Sequence, residues 1–322
     1  MRSKFLKYVL GNQILVAILF VAAFWLIIEI REVLIAIFIS YILMAAISPY
    51  ADFLRKLHVP KPIAILIPYL VAIAVFVLLV LSLLPFFISQ IETLFAQLPS
   101  YINEAIKTFN LSINQEQINS FAAIGIGNAF SITGKFFGGV FSAVSVFVIS
   151  FYLLVYKETV RDNLASLFPK HSRAKVINTM VQAEDKLGSW LRGQIVLSGF
   201  IGVFTWVILT MFGLPFALPL AAVAGILEIV PTIGPTVAAV PAIIVALTIS
   251  FPTAIIILIS YILLQFFESH VLVPRVMQKA VGLNPIVIII AIITGGRLLG
   301  PIGALLAIPF VSFLVVVYKN LE

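Results

Sequence analysis

EIVPTIGP, residues 228–235, places a carboxylate, two prolines and a glycine inside apolar sequence. LPLAAVAGIL precedes it and TVAAVPAIIVAL follows, and neither flank reads as a water-exposed loop. Proline removes a backbone donor and clashes with the preceding turn, while glycine eases an unusual backbone conformation. In lipid the carbonyls freed by such a break need partners, so it is tolerated only inside protein or beside water. The stretch therefore faces a cavity or a neighbouring helix; a turn between crossings near the interface is the plainer alternative. Glu228 is its most informative residue. An ionised carboxylate deep in apolar sequence is costly unless paired, hydrated or neutralised, which suits a proton or cation relay, whereas an interfacial acid would merely cap nearby amides.

The rest of the chain sets this break in a membrane. Of 322 residues, 62% are hydrophobic and 10% charged, and the mean hydropathy is +1.19. One soluble core of this size cannot bury that much apolar surface, and several runs approach the roughly 20 residues that cross a bilayer as a helix. The runs are long and unbroken rather than short and alternating, which excludes an outer-membrane barrel. The expected fold is all-α: a polytopic membrane protein with interrupted or re-entrant helices, its main partner the lipid bilayer. The net charge of +7 reads as basic loops kept on the cytoplasmic side, and no nucleic-acid partner is expected. Cysteine is absent and the three histidines, 58, 171 and 270, are scattered, so neither a metal site nor a cofactor is expected.

Apolar runs at about 12–29 and 33–48 flank the short charged turn EIRE and form a tight pair; the first is taken as a mature membrane helix rather than a leader. The linker PYADFLRKLHVPK carries Arg55, Lys56 and Lys61 against Asp52 and, with the basic N-terminus MRSKFLK, assigns this side and the N-terminus to the cytoplasm. A third helix spans about 62–84. Residues 86–135 then show apolar side chains at helical spacing (Phe87, Ile91, Leu94, Phe95; Tyr101, Ile102, Ala105, Phe109) and read as an extracytoplasmic amphipathic helical insertion, either a lid or a contact for a partner subunit. A fourth crossing is expected at about 136–156. Residues 157–193 hold seven Lys and Arg against four acids and read as a cytoplasmic helical segment. A fifth crossing covers 194–212, and another covers 252–267. The regions 219–249 and 283–318 are both interrupted. As two re-entrant hairpins they give six crossings; as pairs of full crossings they give ten.

Beyond EIVPTIGP, the stretch QFFESHVLVPRV gathers Gln265, Glu268, His270 and Arg275. Glu268 can pair with Arg275, and a charged cytoplasmic loop would contain the same types. Glu268 and His270 are two residues apart, so a regular helix points them to different sides, which disfavours zinc. Arg297 in GGRLLG is a lone cation between apolar runs, able to bind an anion, pair with an acid or snorkel to the interface. No GxxxxGK phosphate loop and no nucleophile–base constellation is present, so the chain does not read as an enzyme.

Four motifs in order, GSWLRGQ (188–194), EIVPTIGP (228–235), FESHVLVPRVMQKAVGLNP (267–285) and GGRLLGPIGALLAIP (295–309), give the chain a resemblance to the bacterial AI-2E family, the autoinducer-2 exporter family. It covers nearly the whole chain, which would then be one AI-2E-type transmembrane domain over 1–322. The sequence departs from the commoner family pattern at Ser269 and His270. The resemblance implies a multi-pass protein of the cell inner membrane with about eight helices, forming a homo-oligomer. It further implies export of a small polar signal of the autoinducer-2 type, or exchange of sodium or lithium for protons. The expected function is therefore secondary transport, with a passive oligomeric channel or a non-transporting scaffold as alternatives.

Along the route, Glu228 is the expected proton or cation carrier, with Arg297 or Arg275 as its charge partner. Gln265 and Thr232 would offer neutral hydrogen bonds to a polar solute. Pro231, Gly234 and Pro235 would shape the break, and Glu268 and His270 complete the candidate set.

Overall fold

The computed structural model describes residues 13–78, 100, 139, 142–230, 233–277 and 284–321. The expected insertion at 86–135 lies outside the described residues except for Ser100. Every described element is helical, as the composition requires: a backbone in lipid must satisfy its own hydrogen bonds. Among the described residues, five helices are long and apolar enough to cross a membrane, or six if one bent pair counts as a span.

Helix α1 (Gln13–Glu29) exposes Phe20 and Trp25, and a turn at Ile30 leads to α2, Arg31–Lys56. Helix α2 does not stop at residue 48, where the apolar run ends, but continues through Pro49 for two further turns. Proline cannot donate to the carbonyl four residues back, which is that of Ala45. The Arg192 guanidinium supplies the missing donor, with Nη1 3.4 Å from Ala45 O and 3.1 Å from Ala46 O, while Nη2 donates to Ser189 Oγ at 3.0 Å. Gly188 permits the approach, since a Cβ there would lie 2.3 Å from Ala45 O. Replacing Arg192 by Met leaves a buried carbonyl unpaired. We expect a loss of about 1–3 kcal/mol, read as a lower unfolding midpoint in detergent, with Arg192→Lys retaining part of the stability.

Helix α3 (Lys61–Leu78) packs against α4 (Ser142–Val155), and α4 meets α5 (Lys157–Ser166) at a 72° bend. The Tyr69 and Ser150 hydroxyls are 2.6 Å apart at the buried α3/α4 contact. Met44, Ile47, Ile65 and Leu154 close the same core. A short 3₁₀ turn, Lys170–Ser172, then opens α6, Arg173–Met211.

The later part of the hydrophilic stretch 157–193 is continuous with the crossing expected at 194–212. Helix α6 runs from Arg173 to Met211, 39 residues, about 58 Å at 1.5 Å per residue, well beyond the roughly 30 Å of a hydrocarbon core. A change in hydropathy along it marks a change of surroundings, not of backbone. Near its polar end Glu184, 5% exposed, accepts from Arg161 Nε at 2.9 Å, contacts Arg161 Nη2, and lies 3.0 Å from Lys157 Nζ and 3.3 Å from the Tyr41 hydroxyl. This cluster ties α2, α5 and α6 together. Glu184→Gln keeps an acceptor but leaves two mostly buried cations without their counter-charge. We expect it to cost about 2 kcal/mol, below the 3–5 of a fully buried pair, checked by thermal unfolding at low and high salt.

Helix α6 ends at Gly213, whose positive φ of 65° and the bond from Leu214 N to Leu209 O close the helix. Helices α7 (Ala217–Leu227) and α8 (Ile233–Ile249) follow as an antiparallel hairpin. Ala224 shares a core cluster with Ala238, and Leu220 shares one with Ala242 and Val245, pairs nested around the break. With 11 residues, α7 is about 16 Å long, too short to cross. The first interrupted region is thus a helical hairpin whose first arm is too short to be a full crossing.

Ser250 caps α9 (Phe251–Phe267) by accepting from Thr253 N at 3.2 Å. A π-helical turn, Glu268–Leu272, carries the helix into α10, Val273–Val276. The last helix, α11 (Pro285–Leu321), folds back on itself at Gly300 (φ 65°, ψ −150°). A Cβ at Gly295 would lie 2.3 Å from Gly303 O, a contact that a straight helix would hold about 12 Å apart. Its arms, 285–299 and 301–321, measure about 22 and 31 Å. The second interrupted region is a hairpin whose outgoing arm is long enough to cross the bilayer, unlike the one at EIVPTIGP. Its return end is held by Gln182 and Asn320, which exchange side-chain hydrogen bonds at 3.5 and 3.2 Å.

Candidate functional site

The tip of the α7–α8 hairpin is held by backbone contacts that only small residues allow. A Cβ at Gly234 would fall 1.9 Å from Leu227 O, and one at Gly225 2.9 Å from Ser198 O and 3.2 Å from Gly202 Cα. The first approach closes the hairpin on itself, and the second presses it onto α6 at Ser198 and Gly202. At the tip, Gln194 Nε2 donates to Glu228 O at 2.7 Å, so a side chain from α6 satisfies a carbonyl beside the break. Gly234 and Pro235 are buried in the first turn of α8. Pro231 and Thr232 lie outside the described residues.

Glu228 is 0% exposed, and neither carboxylate oxygen has a hydrogen-bond partner among the described residues. Its electrostatic neighbour is a second acid, Glu268, 1% exposed. Glu268 stands at the start of the π-helical turn and accepts from Gln265 Nε2 at 3.0 Å. A π turn takes up an extra residue and redirects the side chains around it, a device common at functional sites. Here Glu268 faces the hairpin while His270 is exposed, its ring stacked on Phe266 at 4.1 Å and its Nδ1 2.9 Å from Phe266 O. Two carboxyls this close, away from water, do not ionise independently of each other.

Arg275 and Arg297 are both exposed, and no ion pair among the described residues includes either. The sequence suggested an arginine beside Glu228; the structure places a second glutamate and a glutamine there instead. Gln194 was legible only as part of GSWLRGQ, because a lone amide in an apolar run carries no periodic signal. The structure gives that motif a physical reading. Gly188, Ser189 and Arg192 dock α6 on the Pro49 break, Gly193 lies against Met277, and Gln194 holds the hairpin tip. A groove of about 690 Å³ lies between α2 and the α11 hairpin, lined by Leu34, Phe38, Leu298 and Phe310. Its lining is apolar and it does not reach the carboxyl pair.

A family model for AI-2E family transporters matches residues 14–322. The chain belongs to the AI-2E transporter family. Among its relatives, YrrI of Bacillus subtilis (strain 168) is 27% identical over 310 residues, 90% of this chain and 86% of that protein. YueF of the same organism is 26% identical over 305 residues, 88% and 82% of the two chains. Both are assigned to transport by name only. The AI-2 transport protein TqsA of Escherichia coli (strain K12) is 28% identical over 129 residues, 40% of this chain and 38% of TqsA. This AI-2E protein is thus a polytopic all-α membrane protein of a transporter family, with its carboxyl pair between a short helical hairpin and a π turn.

Proposed function

We propose that this AI-2E chain is a secondary transporter of the cell inner membrane in which the Glu228–Glu268 pair couples proton movement to passage of a second species. The observation that carries the reading is the contact between two fully buried acids at a broken helix. Such a site can hold a proton, exchange it for a small cation, or release it as a solute passes. The side-chain amides of Gln194 and Gln265 offer the neutral hydrogen bonds that a polar solute needs. The N-terminus is placed in the cytoplasm, following the basic residues near it.

Two species are in contention for the second role: sodium or lithium, and a small polar signal of the kind named for TqsA. Purified protein in sealed proteoliposomes separates them. Proton movement that requires sodium or lithium identifies an exchanger. Accumulation of the signal precursor driven by a proton gradient identifies an exporter. Downhill flux of either species without proton coupling would replace the transporter reading with a channel.

A further inference from the structure

Where α2, α3, α4 and α5 meet, the cations Arg55, Lys61, Lys157 and Arg161 and the acids Asp52 and Glu158 line a pocket of about 140 Å³. One water needs roughly 10–15 Å³ of such space, so the pocket has room for a polyatomic ion with part of its hydration. It shares no lining residue with the carboxyl pair. The Glu184 cluster borders it, because Lys157 and Arg161 belong to both.

Charge and hydrogen bonding are both unbalanced there. Three acids, Asp52, Glu158 and Glu184, face four cations, which leaves one positive charge over. The Arg55 guanidinium comes within 3.9 Å of Asp52 and 4.0 Å of Glu158, inside ion-pair range and past hydrogen-bond length. Neither acid therefore takes up any of its N–H donors. Arg161 bonds Glu184 through Nε and Nη2 and keeps Nη1 free of that acid. Lys61 Nζ donates to Glu158 at 3.3 Å, while Lys157 Nζ donates to Ser48 Oγ at 2.8 Å and pairs with Glu184. Donors from three helices thus converge with too few acceptors between them.

A phosphate group meets this surplus better than other anions. Its oxygens point in several directions and can reach cations on α2, α3 and α5 at once, whereas a carboxylate offers two oxygens in one plane. Arginine matches phosphate with a fork of parallel N–H groups, and lysine adds a point charge. Glu158 is 66% exposed, so it can turn to water and release Lys61 without disturbing the buried Glu184. We propose that this pocket binds a phosphate group, held by Arg55, Lys61 and the unspent donors of Lys157 and Arg161. The bound group ties the end of α2 and the start of α3 to α5. A lipid headgroup and a free phosphate compound both supply that chemistry. Phe53 and Leu57, exposed on either side of Arg55 in the chain, present apolar surface to lipid, and the charged lining is open to water. Binding here does not depend on the carrier role given to Glu228.

The full chain, delipidated in a neutral detergent, is titrated with inorganic phosphate at fixed ionic strength and followed by calorimetry and thermal unfolding. Saturable binding should raise the unfolding midpoint as the site fills. Arg55→Gln and Lys61→Gln should each weaken it about tenfold, the scale of one charge-assisted hydrogen bond. Lys56→Gln removes the same charge from an exposed position outside the lining and should leave binding unchanged. The same variants are then placed in phosphatidylcholine nanodiscs with and without phosphatidylglycerol, and retained lipid is read by native mass spectrometry. Phosphatidylglycerol that is retained through Arg55 and Lys61 and displaces phosphate identifies a headgroup site. Phosphate binding that persists beside phosphatidylglycerol identifies a site for a free phosphate compound. If neither probe binds more weakly to Arg55→Gln and Lys61→Gln than to Lys56→Gln, the pocket holds only water and the phosphate site is overturned.

Discussion

Glu228→Gln should abolish proton-coupled transport while leaving the protein folded. Glutamine reproduces the shape of a protonated glutamate but cannot release the proton. The change therefore removes the chemistry and preserves the packing against α6 and α9. We expect coupled proton flux to fall at least about a hundredfold, the scale associated with losing a positioned acid–base group. The unfolding midpoint should change little, because the amide fills the same buried space beside Glu268 and can still donate to it. Glu268→Gln should be milder, since Gln265 can still bond the amide oxygen that replaces Glu268 Oε2. Retained coupling in both variants would remove the pair from the mechanism.

The second large effect concerns backbone rather than charge. In Gly234→Ala the added methyl would meet Leu227 O at 1.9 Å, Leu227 C at 2.3 Å and Glu228 N at 2.9 Å. All three are main-chain atoms, so no rotamer change relieves the clash. We expect a loss of more than about 3 kcal/mol, beyond the usual range for overpacking, and an unfolding midpoint lower by about 6 °C or more. Gly213→Ala is the informative comparison. Its φ is also positive, but nothing lies within 4 Å of the new Cβ, so only the left-handed backbone penalty of about 1–2 kcal/mol applies. Equal losses at the two positions would mean that the hairpin tip relaxes freely.

What the sequence disclosed and what it hid have physical reasons. The breaks at 228–235 and 295–301 were legible because proline and glycine act locally. Whether each hairpin crosses was not, since that depends on arm length and on which helix receives it. Glu228 stood out because a carboxylate is rare among apolar residues. Glu268 was legible as a candidate as well, but its place beside Glu228 was not, because the local pattern does not say which helices meet at the break. Sequence reasoning looked for opposite charge and chose Arg275 or Arg297, both of which are exposed. The union of residues 173–211 into one helix was hidden because hydropathy reports surroundings, while the hydrogen-bond ladder runs through them without interruption.

The shortness of α7 has a consequence for how the chain is made. A nascent segment enters lipid on its own only when its apolar length suffices, and 11 residues followed by a carboxylate do not. The α7–α8 hairpin must therefore be installed by its neighbours during biosynthesis. Helix α6 has to stand in the bilayer first to present Gln194 and Gly202. Closure of the site waits until the ribosome has delivered Glu268 behind it. The carboxyl pair is thus formed only after both flanking helices have been inserted, so a partly made chain never holds the two acids together in the membrane.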